Sequence, residues 1–256
     1  MKVSIITSSF NRVGTIATSI ESVLSQDYPD IEYVLVDAAS TDGTMDVVNK
    51  YADRIASLSS EPDHGIYEGL NKGIRRAKGD IIGLLHSDDV FYSTDTISRI
   101  VNEMGRTGAD FVYGDGLFVK HDNLDYVVRD WISGKYSKSK VAGGWLPLHT
   151  TCFVRREVFE KVGFYDESYR ISADTDWLIR CLYVNDLKVA YLDNYVVKMR
   201  MGGASTNFRQ MKKKWKEDIS IYKKHGLGSI RPLSYKMGSK IPQFIKAQLK
   251  RFMKKY

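Results

Sequence analysis

Over its first ninety residues the chain alternates short apolar runs with longer segments whose apolar residues recur at helical spacing. Val3–Thr7, Tyr33–Val36, Ile55–Leu58 and Asp80–Leu85 read as strands. Ile16, Ile20, Val23 and Leu24 lie at i, i+4, i+7 and i+8, one face of a helix that Asn11 is placed to begin. Leu70, Ile74 and Ala77 mark another helix over Gly65–Lys78, with Gly79 placed to end it. Such alternation predicts an α/β fold, a mostly parallel sheet with helices on both faces. Ligands of these sheets bind beyond the carboxyl ends of the strands. Thr7, Asp37 and His86-Ser87-Asp88-Asp89 all fall there.

The second half is less regular. Phe111–Tyr113, Leu117–Lys120, Tyr126–Asp130, Thr150–Val154, Val189–Leu192 and Tyr195–Met199 read as strands, and Glu157–Val162 and Ala173–Tyr183 as helices. A chain of 256 residues buries one substantial core. Its longest apolar runs, such as Ile81–Leu85, fall far short of the roughly 20 residues that cross a bilayer. The N-terminus enters a strand without a charged-then-apolar leader, and Cys152 and Cys181 sit in apolar surroundings without metal-ligand spacing. Both features predict a cytoplasmic protein with two buried free thiols.

The net charge of +7 is unevenly spread. Residues 198–256 hold 17 basic side chains against Glu217 and Asp218, whereas residues 1–197 hold 21 basic and 29 acidic ones. A mildly acidic body with a strongly basic tail points to a polyanionic partner, a membrane surface or nucleic acid. Phe208, Met211, Trp215, Ile219 and Tyr222 form a helical stripe expected to dock on the body through Trp215. Ile241, Phe244, Ile245, Leu249, Phe252 and Met253 repeat the pattern among lysines that include Lys254 and Lys255. Apolar and basic residues on separate faces favour an anionic membrane surface over nucleic acid.

Adjacent carboxylates repel, and they become favourable when a divalent cation sits between them and a phosphate. Asp88-Asp89 fit that role, although acidic residues also suit a helix start. Four segments decide the matter: VSIITSSFNR from Val3, VLVDAASTDGT from Val34, DHGIYEGLNKG from Asp63 and AKGDIIGLLHSDD from Ala77. In this order and spacing they resemble the inverting family 2 glycosyltransferases, whose body has the Rossmann-like GT-A fold. The similarity runs from Val3 to about Ser205.

The resemblance implies that Thr7, Ser8, Ser9 and Asp37 contact base and ribose, with Asp63 and Asn71 passing near the nucleotide. Turn and capping roles for Asp63 and Asn71 stay open. Where the family often has a second acid after the Asp37 position, this chain has Ala38, which leaves the base open with a UDP-sugar as default. His86 replaces a frequent leading Asp in the metal motif; Asp88 would approach ribose or metal, and Asp89 would bind Mn2+ or Mg2+. Ser172-Ala173-Asp174-Thr175-Asp176-Trp177 resembles the family's Glu-Asp-x-Asp motif, with Ala173 in place of its first acid. Asp174 aligns with the catalytic base and Asp176 is the reserve; both also suit a helix N-terminus. His149 and Trp177 are acceptor-side candidates, and Gly202-Gly203-Ala204-Ser205 a loop to close over the phosphates or a linker.

The expectation is therefore a catalytic domain over 1–205 and a basic helical tail over 206–256. It would transfer a sugar to a lipid-linked or glycan acceptor in cell-surface polysaccharide synthesis, at the inner face of a membrane. A nucleotidyltransferase is the alternative enzyme, disfavoured because Ser8-Ser9-Phe10-Asn11-Arg12 lacks a glycine-rich phosphate loop. A nucleic-acid-binding protein acting through the tail is the alternative of a different class.

Overall fold

The computed structural model describes residues 1–202, 211–228 and 230–253. The expected loop at Gly203-Ala204-Ser205, the 205/206 boundary, Phe208, Lys254 and Lys255 lie outside them. The first half runs β1 (Val3–Ser9), α1 (Ile16–Leu24), β2 (Ile31–Asp37), α2 (Thr44–Val48), β3 (Ser57–Ser60), α3 (Ile66–Arg76) and β4 (Ile81–Leu84). These strands are parallel in the order β3-β2-β1-β4. Then follow β5 (Val90–Phe91), α4 (Thr96–Thr107), β6 (Phe111–Lys120), β7 (Asn123–Trp131), α5 (Lys138–Ala142), β8 (Phe153–Arg155), α6 (Glu157–Val162), α7 (Ala173–Ile179) and β9 (Val189–Arg200). Antiparallel β8 joins β4 to β6, β9 runs parallel along the other edge of β6, and β5 closes the sheet. Helices α8 (Met211–Lys224), α9 (Ile230–Gly238) and α10 (Lys240–Phe252) end the chain.

Successive strand residues point to opposite faces, so the sheet carries two apolar layers. Ile6, Val34 and Val36 pack with Leu70 and Ile74 of α3 on one face. Ile5, Tyr33 and Leu35 pack with Ile16 and Ile20 of α1 and Ile97 and Ile100 of α4 on the other. Burial on both faces is why the parallel strands read as near-continuous apolar runs.

Four local expectations differ from the structure. Asn11 adopts a left-handed backbone (φ 51°) and turns the chain; α1 begins only at Ile16. The two runs within Phe111–Lys120 are one strand, and so are the two within Val189–Arg200. Gly114 lies between the two runs of β6, where a Cβ would meet Val196 Cγ2 at 2.6 Å and Asn194 O at 2.7 Å; glycine lets β9 approach across a bulge. Residues 149–151 form a 3-10 turn before β8 rather than its first residues. In α8, Ile221 and Tyr222 are fully buried and make the dock, whereas Trp215 is 42% exposed.

Asp115 sits at the bulge, accepting from Ser133 N (2.8 Å) and the Tyr191 hydroxyl (2.9 Å). Burial pushes its pKa up to about 6, only partly offset by those hydrogen bonds. A folded-state pKa raised above the unfolded one favours the fold at low pH, and that contribution is lost as pH rises from about 4 through 6. Relative to Asp115→Asn, the wild-type chain should lose on the order of 3 kcal/mol between pH 4 and pH 7, read by urea unfolding at both pH values. Parallel pH profiles for the two proteins would contradict this.

Candidate active site

The carboxyl ends of β1, β2 and β4 lie side by side, Ser9 paired with Asp37 in register. Beyond them opens a cleft of about 550 Å³, lined among others by Ser8, Arg12, Tyr67, Asp88, Asp89, His149, Asp174 and Arg200. That volume falls within the range of small-molecule sites.

Asp89 is buried, and its Oδ1 accepts from the backbone N–H of Arg200 at 3.0 Å. Its Oδ2 is sealed from water with no partner. Burial first, then the Asp88 charge, holds this carboxyl well above the usual range. The Arg200 guanidinium ties down the surrounding chain, donating to Asp88 O (2.5 Å), Thr18 Oγ1 (3.0 Å) and His121 O (3.1 Å). The partly exposed Asp88 carboxylate lies 4.0 Å from Arg12 Nε. An unpaired buried carboxylate oxygen beside a second carboxylate is the donor set a hard divalent cation takes. Among the described residues no cluster of three or more His, Cys, Asp or Glu side chains is gathered for a metal. Such an ion would keep open positions for phosphate and water.

The strand alternation separates the Thr7-Ser8-Ser9 set. Ser8 lines the cleft, and Gly69 of α3 makes room for it: a Cβ there would come within 2.4 Å of Ser8 Oγ and 3.0 Å of Asp63 Oδ2. Asp63 caps the turn through Gly65 N (2.9 Å), leaving its buried Oδ2 unpartnered and its pKa raised by burial. Thr7 Oγ1 donates to Leu85 O at 2.8 Å and ties β1 to the β4 end. Asp37 accepts from Ser9 Oγ (2.7 Å), Ser60 Oγ (2.7 Å) and both the N–H (2.8 Å) and Oγ (2.5 Å) of Ser40. Burial alone would raise its pKa; the serine hydrogen bonds outweigh it and hold the carboxylate ionised.

Asn71 stands apart from the cleft lining. Its side chain grips the loop before α7, bonding Tyr165 O (2.9 Å), Tyr165 N (3.1 Å) and Glu167 Oε1 (2.7 Å). All its polar atoms are thereby spent on protein. Trp177 is likewise a core residue: it is buried, stacks on Phe159 at 4.9 Å and donates to Gly163 O. The tryptophans that do line the cleft are Trp131, Trp145 and Trp215.

Asp174 and Asp176 face different surroundings, as two residues' separation on a helix requires. Asp174 reaches the cleft, its Oδ1 accepting from Thr175 N (2.8 Å) and lying 3.2 Å from the Tyr67 hydroxyl. Its Oδ2 lies 3.5 Å from His149 Nδ1, and His149 Nε2 is 3.0 Å from His86 Nε2. Burial pushes the pKa of both imidazoles down, His86 to about 3, so the pair shares one proton between neutral rings. Glu217 of α8 accepts from Ile171 N and Ser172 N, both at 2.9 Å, fixing the start of α7 and hence Asp174. Sequence reasoning missed Arg200, Tyr67 and Glu217. Tyr67 lay inside a quoted motif; the other two carry no local signal.

Asp176 is fully buried and held by Arg180 Nε (2.8 Å), Lys224 Nζ (3.0 Å) and His225 Nε2 (2.9 Å), joining α7 to the end of α8. No oxygen is left for a substrate proton. Asp176→Ala strands these cations and should cost about 3 kcal/mol in urea unfolding, against a far smaller loss for Asp174→Asn. Equal stability of the two variants would remove the anchoring role.

Residues 4–163 match the family model described as Glycosyl transferase family 2. A PGL/p-HBAD biosynthesis glycosyltransferase of Mycobacterium tuberculosis is 29% identical over 208 residues, covering 80% of this chain and 78% of that protein. An uncharacterized glycosyltransferase of the same species is 32% identical over 187 residues, covering 71% and 69%. Among solved structures, Staphylococcus aureus TarS 1-349 in complex with UDP-GlcNAc superposes with a TM-score of 0.68 at 18% identity. It covers 86% of this chain, which spans less than two thirds (65%) of that one. The mannosyltransferase PcManGT from Pyrobaculum calidifontis, in complex with GDP-Man and Mn2+, gives 0.64 at 18% identity over 97% of this chain and 69% of that one. These likenesses show the GT-A fold, and with the family match they establish that the chain belongs to glycosyl transferase family 2.

Proposed function

We propose that this glycosyltransferase is an inverting, metal-dependent enzyme that moves a sugar from a nucleotide-sugar donor to a lipid-linked saccharide in cell-surface polysaccharide synthesis. One observation carries the reading: Asp89, with its unpartnered oxygen, and Asp174 line the same cleft. The nucleotide-sugar complexes of TarS and PcManGT support the donor class, and Mn2+ in the latter supports a metal. A UDP-sugar is the default donor. Family membership disfavours the nucleotidyltransferase and nucleic-acid-binding alternatives.

In this reading Asp88 and Asp89 hold Mn2+ or Mg2+, which when bound supplies positive charge to the departing diphosphate. Ser8 forms the donor wall with Asp63 behind it across Gly69, and Asp37 shapes the base end through its serines. Asp174 takes the acceptor hydroxyl's proton during attack on the anomeric carbon. Thr175 N–H and the Tyr67 hydroxyl donate to its Oδ1 and fix the carboxylate plane, and His149 Nδ1 beside Oδ2 sets that oxygen's orientation.

Residues 1–205 are the catalytic domain and 206–256 an extension whose described helix α8 completes it, through Glu217 and Tyr222. The membrane partner rests on α10. Its Ala247 is buried against Leu117, Val119 and Val127, and Lys250 bridges Asp130 (2.8 Å) and Tyr195 (2.7 Å). The other face carries Ile241, Ile245, Leu249 and Phe252, exposed by 64, 53, 58 and 90%. The body leaves this stripe uncovered, with exposed Lys246 beside it. Among the described residues no helix is long and apolar enough to cross a membrane. An in-plane helix on the inner face fits both facts.

Asp89→Asn should abolish Mn2+-dependent binding of nucleoside diphosphate in calorimetry while the fold persists. Asp174→Asn should bind the diphosphate normally and turn over about 10²–10⁴-fold more slowly. Unchanged metal dependence in the first variant, or full activity in the second, would reject the assignment.

Replacing Ile241, Ile245 and Leu249 together by Ser should release the protein from anionic vesicles in sedimentation, and wild-type binding should weaken with salt. Retention of the triple variant would remove α10 as the anchor.

A further inference from the structure

Far along the chain from the proposed donor site, the cleft is lined by a second charged group that nothing above uses. Arg129 of β7 is only 8% exposed, and its guanidinium lies over Phe118 (4.7 Å) and Trp131 (4.5 Å). Its Nε donates to Gln243 Oε1 of α10 at 2.5 Å. Its Nη2 is buried without a partner. Among the described residues no carboxylate forms an ion pair with it, and burial pushes its pKa down to about 10.

A buried cation without a counterion is costly, and ring faces compensate only in part. The neighbouring basic residue shows the ordinary solution: Lys250 has Asp130. Arg129 has a neutral amide instead, in a pocket whose other contacts are aromatic. A guanidinium fork is matched by phosphoryl or carboxylate oxygens, and aromatic walls suit an apolar chain beside the charge. The second wall comes from α10, where Gln243 and Phe244 line the cleft while Ile241 and Ile245 stay exposed on the same helix. A ligand reaching Arg129 from the cleft mouth therefore meets charge and apolar surface together.

We infer that Arg129 forms an acceptor-side subsite for a phosphoryl group attached to a hydrocarbon chain, separate from the metal-bound diphosphate of the donor. This assignment rests on the cleft being the glycosyltransferase active site. It narrows the acceptor class to anionic amphiphiles, with Gln243 holding the guanidinium in the plane that presents its Nη edge.

The test is calorimetric titration of the full chain, saturated with UDP and Mn2+ so that the donor side is filled. The probes are octyl phosphate below its micelle concentration, inorganic phosphate and octyl glucoside. Octyl phosphate should bind most tightly; phosphate alone should bind weakly and octyl glucoside not measurably at the same concentration. Arg129→Met should weaken octyl phosphate about ten- to hundredfold and leave UDP affinity within twofold. Its melting temperature should equal or exceed that of wild type, since an uncompensated buried charge is removed. Arg129→Lys keeps the charge without the planar fork and should lose several-fold, which preserves the test if the Met variant does not fold. Unchanged octyl phosphate affinity in either variant, or equal binding of octyl glucoside, overturns the subsite. Tight inorganic phosphate with no gain from the chain overturns the amphiphile. Failure of UDP to bind wild type would instead reject the donor reading, and the same titrations on the metal-free chain would still decide Arg129.

Discussion

Two carboxylates are held side by side at the end of β4, and one oxygen of Asp89 is kept dry and unpaired. Nothing local to the loop makes this stable. The restraint comes from β9, whose last residue reaches back over the loop. Pairing of β5 with β9, Val90 to Lys198 and Phe91 to Val197, sets the register that brings the Arg200 N–H to Asp89. The Arg200 side chain then fixes the backbone of residue 88 and ties it to Thr18 of α1. Burial that disfavours the ionised form without a cation is the same burial that strengthens a cation's hold, because both scale with the low local dielectric.

The Asp174 side of the cleft obeys a parallel constraint from the other end of the chain. Asp174 opens a short helix, and a short helix has little rigidity of its own. Glu217 satisfies two N–H groups before it, while Asp176 ties its middle to Lys224 and His225. The Asp-x-Asp pattern thus splits its labour: one carboxylate faces the cleft, and its neighbour two residues on anchors the helix that presents it. Charge type and spacing are alike at the two positions, so only burial and partners distinguish the roles.

Legibility followed sequence distance. The sheet, α1 and α3 could be read because their periodicity is written in consecutive residues, and Asp88-Asp89 could be placed because a strand end directs them. Asn71 and Trp177 sat inside informative motifs yet serve the scaffold, since a motif marks a region and not the direction of each side chain. The His86–His149 contact and the Arg200 clamp join residues 63 and 111 positions apart, and no local pattern encodes them. The two runs of β6 read as separate strands because the approach of β9 that requires Gly114 between them is not written in neighbouring residues.

The basic C-terminal segment read as a separable tail, but its helices supply cleft wall: Lys214 and Trp215 from α8, Tyr235 from α9, Gln243 and Phe244 from α10. Helix α10, about 20 Å long at 1.5 Å per residue, divides its surface between two tasks. Ala247 and Lys250 face β7, and the apolar stripe faces outward. Because the docking contacts lie on the opposite side, covering the stripe breaks none of them. The Gln243–Arg129 bond lies on the docking face with Ala247 and Lys250 and joins α10 to the cleft wall. On the proposed reading α10 would be both the helix that meets the apolar phase and the wall along which an amphiphilic acceptor would enter.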